Sequence, residues 1–147
     1  MVILVILSSG VLGTTLMTLF SHILELLTHH KFNEAHLLNE LISRSKSISF
    51  NVGQNHYYGW IIHYAIGVCM AAGLFCYYFY MADRIGIWVG SLLGFVLGII
   101  GIVGWSLIIN FHSNPPCTKW KYFFAQLIVA HIIFGLTATW VLIKFLF

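Results

Sequence analysis

The stretch Ile85–His112, IGIWVGSLLGFVLGIIGIVGWSLIINFH, constrains the fold more than any other part of this chain. It carries no charged residue and exceeds the roughly 20 apolar residues that an α-helix needs to cross the hydrocarbon core of a bilayer. We read it as a transmembrane helix. Gly86, Gly90, Gly94 and Gly98 recur at every fourth position, and Gly101 and Gly104 continue at every third. At about 100° per residue, all six fall within an arc of about 120°. One face is therefore nearly bare backbone. In lipid, apolar side chains gain little by leaving the tails, so dispersion contacts accumulate where small residues let a neighbouring helix approach. The expectation is a glycine zipper that makes this helix the central packing surface.

Hydrophobic residues make up 60% of the 147 and charged residues 7%, with a mean hydropathy of +0.92. A soluble domain carries about 25% charged residues. The reading is an all-α integral membrane protein, a single transmembrane domain over residues 1–147. Seven Lys and Arg against four acids give +3 with no basic block, so no nucleic-acid partner is expected. Cys69 and Cys76 stand seven residues apart on one predicted helix, about 10 Å along its axis and too far to bridge, and Cys117 lies in a loop. Neither a disulfide nor a cysteine metal site is expected. The N-terminus, MVILVILSSGVLG, lacks a basic n-region and a convincing cleavage site and reads as retained.

Four spanning helices follow, at about 2–28, 57–81, 85–111 and 120–147, with one long loop at 29–56. On the first, Gly10, Thr14, Thr18, Ser21, His22, Glu25 and His29 project within about 120° of one another, a small and polar stripe suited to the glycine face of the third helix. In the loop, Asn33 caps a short interfacial helix that places Leu37, Leu38, Leu41 and Ile42 on one side and leaves Glu34, Asn39, Arg44 and Lys46 polar. Residues 43–49 read as irregular. The second helix carries His56, His63 and Gly67 on one face, with tyrosines and Trp60 marking its ends. A tight turn at Ala82, Asp83 and Arg84 leads into the third helix, and Pro115 and Pro116 end the segment after it. The fourth presents His131, Gly135, Ala138 and Thr139 together.

Lys31, Arg44, Lys46, Lys119 and Lys121 lie in the first and third connections, against Arg84, Lys144 and the terminal amine opposite. The positive-inside rule then puts the long loop in the cytoplasm and both termini outside. His22, Glu25, His63 and His112 converge on that leaflet, with His131 some 13 Å deeper on the 1.5 Å rise. Intramembrane ionisable groups are the natural candidates for a site, because burying them unpaired is costly. As ligands of a transition metal the candidates are His22, Glu25, His29 and His63. As axial ligands of haem b they are His63 and His131, whose estimated depths differ by nearly two turns. The bland alternative is that Glu25 pairs with a histidine or Lys31 near the headgroups. No G-x-S-x-G and no phosphate loop occur, so a catalytic centre is not expected.

Three segments, Gly59–Val68 (GWIIHYAIGV), Gly13–Met17 (GTTLM) and Ala130–Leu136 (AHIIFGL), resemble a bacterial family of four-helix membrane proteins known only as a domain of unknown function. The resemblance covers the first, second and fourth helices. It implies four spanning helices in a bacterial inner membrane and functional interest at His63 and His131; it implies no activity. Taken together, the sequence points to a small non-enzymatic subunit of a larger membrane complex, with Phe75, Phe79, Trp88, Phe95, Trp105, Phe124 and Trp140 as partner or lipid contacts. A metal-binding, redox or proton-handling protein is the alternative.

Overall fold

The computed structural model describes residues 1–45, 52–81 and 85–147. The turn expected at 82–84 and most of the irregular stretch, including Lys46, lie outside the described residues. Five helices are present among those described: α1 (Val2–Thr28), α2 (Glu34–Arg44), α3 (Tyr57–Tyr80), α4 (Ile87–Phe111) and α5 (Trp120–Leu146). All except α2 are long and apolar enough to cross a membrane. The boundaries follow local chemistry. Asn33 Oδ1 accepts from His36 N at 3.2 Å and caps α2, and His56 Nδ1 accepts from Tyr58 N at the start of α3. His29 closes α1 in the left-handed conformation, its N–H donating to Glu25 O.

The helices pack in the order α4, α5, α1, α3, with α2 against α3. The hub is α5 rather than α4: 56% of its apolar window is buried, against 17% for α4. This corrects the expectation that the glycine-rich helix is central. A glycine face is a narrow strip that receives one partner, and every other side of α4 carries Leu, Ile, Val, Phe or Trp outward. α5 is enclosed from two directions, with Phe123, Leu127, Phe134 and Leu142 fully buried.

The partner of α4's glycines is also different. A Cβ placed on Gly94 would lie 2.9 Å from Ile132 Cα and closer still to His131 O, and one on Gly135 would lie 2.7 Å from Gly94 Cα. Backbones of α4 and α5 therefore meet directly. The stripe on α1 faces protein as its composition requires, but it meets α3: a Cβ on Gly10 would lie 2.7 Å from Val68 Cα, and one on Gly67 would collide with the Thr14 side chain. Two seams of small residues result. Gly86 and Gly104, at the ends of the α4 strip, face open space.

α2 does not lie flat at the interface with a solvated polar side. Glu34 and Asn39, expected to stay polar and outward, are buried at 2% and 0% exposure. Asn39 Nδ2 donates to Gln54 O (2.9 Å) and His56 O (2.6 Å), while its Oδ1 accepts from Gly59 N (2.7 Å). One side chain thus satisfies the chain that enters α3. Nearby, His112 Nδ1 accepts from Asn114 N and its Nε2 donates to Leu41 O at 3.0 Å, fastening the 112–119 connection to α2. Lys31 and Arg44 both pair with Glu40, at 2.7 and 2.8 Å.

The two seams make a testable contrast. Gly94→Leu overpacks a backbone contact, at a cost of about 1–3 kcal/mol or more, and lowers the unfolding temperature followed by circular dichroism in detergent. Gly86→Leu, where the added side chain meets nothing, leaves that temperature unchanged.

Candidate functional site

Where α2 tucks against the bundle, the structure encloses a cavity of about 230 Å³ to which all five helices contribute wall. Thr14 comes from α1, Glu34 from α2, His63 from α3, Gly101 and Trp105 from α4, and His131 from α5. The remainder of the wall is Leu, Ile, Met and glycine. Among the described residues no Lys or Arg lines it.

Each polar group in the wall has one side committed to protein. Thr18 Oγ1 donates its single proton to Thr14 O at 2.7 Å, as helix-borne threonines do. It can then only accept from His63, whose Nε2 lies 2.9 Å away. In the neutral ring His63 therefore carries its proton on Nε2 and a lone pair on Nδ1. On α5, His131 Nδ1 donates to Leu127 O at 2.8 Å, which leaves the lone pair on Nε2. That nitrogen faces α4 at Gly101, where an added Cβ would stand 3.4 Å from it.

Glu34 completes the set. Its Oε1 accepts from Gln126 Nε2 at 3.1 Å, Gln126 also reaches Phe32 O, and Ser21 Oγ lies 3.1 Å from the same oxygen with its single proton shared with Met17 O at 3.0 Å. Its Oε2 is buried without any partner among the described residues. Burial raises this carboxyl from the ordinary 4.5 to about 8. Hydrogen bonds from its own backbone, Ser21 and Gln126 oppose the rise, and the nearby Glu25 charge adds to it. At neutral pH Glu34 is a carboxylic acid with a proton to donate.

The expected site residues fall in three places. His63 and His131 share the wall of this one chamber, although their positions along the chain suggested different depths; counting residues from each helix start ignores where each helix begins. Glu25 is outside it. Its Oε2 accepts from Phe32 N (2.8 Å) and Asn33 N (2.9 Å), holding the turn that leads into α2, and it pairs with neither a histidine nor Lys31. His22 belongs to a separate shallow recess with His36, Trp60 and Tyr64, and His29 is exposed at the end of α1. Burial lowers the pKa of His36, with Glu25 raising it and His22 lowering it further. Among the described residues, no three of His, Cys, Asp and Glu converge to hold a metal ion, so His22, Glu25, His29 and His63 are not brought together as ligands. His63 and His131, the expected haem ligands, both line this chamber of about 230 Å³.

Glu34, Ser21 and Gln126 were missed as site residues. The signal for Glu34 was present, because it falls on the same helical face as Leu37, Leu38 and Leu41. Gln126 stands alone as an amide within the apolar run of α5.

A second feature lies beside the chamber. Between α3 and α4, which scarcely touch, runs a groove of about 710 Å³ lined by Ile62, Gly73 and Tyr77 on one side and Leu93, Val96 and Leu97 on the other. Ile66 and Met70 belong to both walls, so groove and chamber adjoin there. The described residues thus form an all-helical molecule with four helices long and apolar enough to span a membrane and a mainly apolar chamber that holds a few polar groups. Searches found no matching family model, no matching curated protein and no matching solved structure.

The buried carboxyl predicts the pH dependence of stability. Below about pH 4.5 both folded and unfolded chains hold the Glu34 proton; between about 4.5 and 8 only the folded chain does. Stability therefore falls as pH rises through that window, by an amount of the order of 5 kcal/mol, and is flat with respect to this group above it. Other ionisable groups face it from the elements around it: Glu25 on α1, His36 on α2, and His63 and His131 in the chamber wall. The measurement is accordingly the difference between the native chain and Glu34→Gln, unfolded thermally from pH 5 to 8.5. The native chain gains stability relative to the variant as pH falls.

Proposed function

We propose that this chain is a non-enzymatic, multi-pass membrane protein that holds a small, uncharged, hydrogen-bonding ligand in the chamber between its five helices. The observation that carries the reading is the Glu34 Oε2, buried without a partner among the described residues, in a chamber whose wall also holds two imidazoles that each have one ring nitrogen bonded to protein. A buried donor without an acceptor costs about 1–3 kcal/mol, and a ligand with an acceptor removes that cost. Among the described residues no Lys or Arg lines the wall, which argues against an anionic ligand.

Location follows from composition and charge. Four apolar helices fit a bacterial inner membrane, and Lys31, Arg44, Lys119 and Lys121 at the α2 end favour that end as cytoplasmic. The accessory-subunit reading keeps less support. Its basis was the breadth of outward apolar surface, and lipid covers such surface as well as a partner does. The proton-handling alternative shares the chamber with the present proposal, since Glu34 is the group that would exchange a proton there.

Purification of the full chain from native membranes in mild detergent, followed by solvent extraction and mass spectrometry, tests the proposal. The expected result is one neutral small molecule near equimolar with the protein and lost from Gly104→Leu, which projects a side chain from the chamber wall into space now open. Equal extracts from both proteins overturn it. Larger membrane subunits in stoichiometric amount, with no small molecule, establish the accessory subunit instead.

A further inference from the structure

The chamber and the groove together define more than a polar ligand; they define its shape. The groove runs along α3 from Ile61 to Tyr77, about 24 Å at 1.5 Å per residue, which is most of the roughly 30 Å hydrocarbon thickness of a bilayer. Spread over that length, about 710 Å³ is a cross-section of about 30 Å². The groove is therefore wide enough for one hydrocarbon chain. Its wall is almost wholly aliphatic, and it lies open on the lipid side between two helices that do not close.

Partway along α3, at Ile66 and Met70, this groove adjoins the chamber, where the available hydrogen-bonding atoms are specific in sign. His63 Nδ1 and His131 Nε2 are lone pairs that accept, and the Glu34 acid donates. A complementary headgroup presents two hydroxyls to the imidazoles and one oxygen that also accepts. The rest of the wall is apolar, with Trp105 and the flat backbone at Gly101 and Gly104, which suits a ring better than a hydrated glycerol. A phosphate or fatty-acid head is disfavoured, because no Lys or Arg among the described residues lines the chamber. The geometry points to a single-tailed aromatic diol, a membrane quinol, as the ligand, with its ring in the chamber among Glu34, His63, His131 and Trp105 and its tail in the α3–α4 groove. This inference rests on the ligand-binding reading above and names its ligand class.

Two glycines make the test independent of folding. Gly73 lines the groove and Gly104 the chamber, and at both an added Cβ meets nothing within 4 Å. Gly73→Leu therefore fills the tail path and Gly104→Leu the ring site without disturbing a packed contact. The experiment titrates the full purified chain, in detergent and under anaerobic conditions, with a benzoquinol bearing a decyl tail, following tryptophan fluorescence and thermal stability. Parallel titrations use tail-less benzoquinol, the oxidised decyl quinone and monocaprin, a glycerol monoester with a tail of the same length. Saturable binding of the decyl quinol is expected, weakened about tenfold or more by loss of the tail, given the apolar area the tail buries. Gly73→Leu weakens the decyl quinol without affecting the tail-less one, Gly104→Leu removes both, and the oxidised quinone, with no hydroxyl to donate, binds less well. Equal or tighter binding of monocaprin overturns the headgroup assignment, and undiminished decyl quinol binding by Gly73→Leu overturns the tail path. Failure of every quinol while native extracts still yield another neutral molecule overturns the quinol and leaves the chamber's function standing; empty native extracts overturn both.

Discussion

Glu34 carries a buried carboxyl group, and among the described residues no Lys or Arg lines the chamber beside it. The group stays folded because it keeps its proton, and because Ser21 from α1 and Gln126 from α5 bind one of its oxygens. Three helices are committed to that one contact. α2 can enter the bundle only on this condition, and its entry in turn brings Leu37 and Leu41 into the core cluster around Phe123 and Leu127. The other oxygen is left without a protein partner, which is what gives the chamber a chemistry of its own.

The openness of the molecule has a separate origin. In water, α3 and α4 would close to bury their aliphatic faces; in lipid that force is weak, and helices join where backbones can approach. Small residues occur in two seams, Gly94 with Gly135 and Gly10 with Gly67 and Thr14. Both seams join α4 and α3 to the middle pair, α5 and α1, and none joins α3 to α4. A groove between the outer helices is the consequence, and it adjoins the chamber at Ile66 and Met70.

Much of this was legible in the sequence. Hydropathy located the four long helices to within about two residues at each end, and Asn33 announced the start of α2. Periodicity revealed that α4 has a face of glycine and α1 a face of small and polar residues. It could not reveal which helix each face meets, because a bare backbone face is compatible with any neighbour that is also small; Gly135 and Thr139 supplied the match for α4, and Gly67 for α1. The site was half legible. His63 and His131 stood out as histidines in apolar runs, whereas Glu34 was read as part of a solvated side because acids in short loop helices usually are. Its placement between Leu37, Leu38 and Leu41 carried more information than its charge. The metal set on α1 failed for a local reason: Glu25 is occupied by the backbone N–H groups of Phe32 and Asn33.

A neutral acid, two half-committed imidazoles and an apolar channel are mutually consistent only if the carboxyl holds its proton at physiological pH. Infrared difference spectroscopy of the full chain against Glu34→Gln at pH 7 measures that directly. The expected result is a carbonyl stretch of a protonated carboxylic acid, present in the native chain, absent from the variant and shifted when a hydrogen-bonding ligand enters the chamber. A difference spectrum showing only the paired bands of an ionised carboxylate would contradict it, and with it the neutral, donor-bearing chamber on which the function is built.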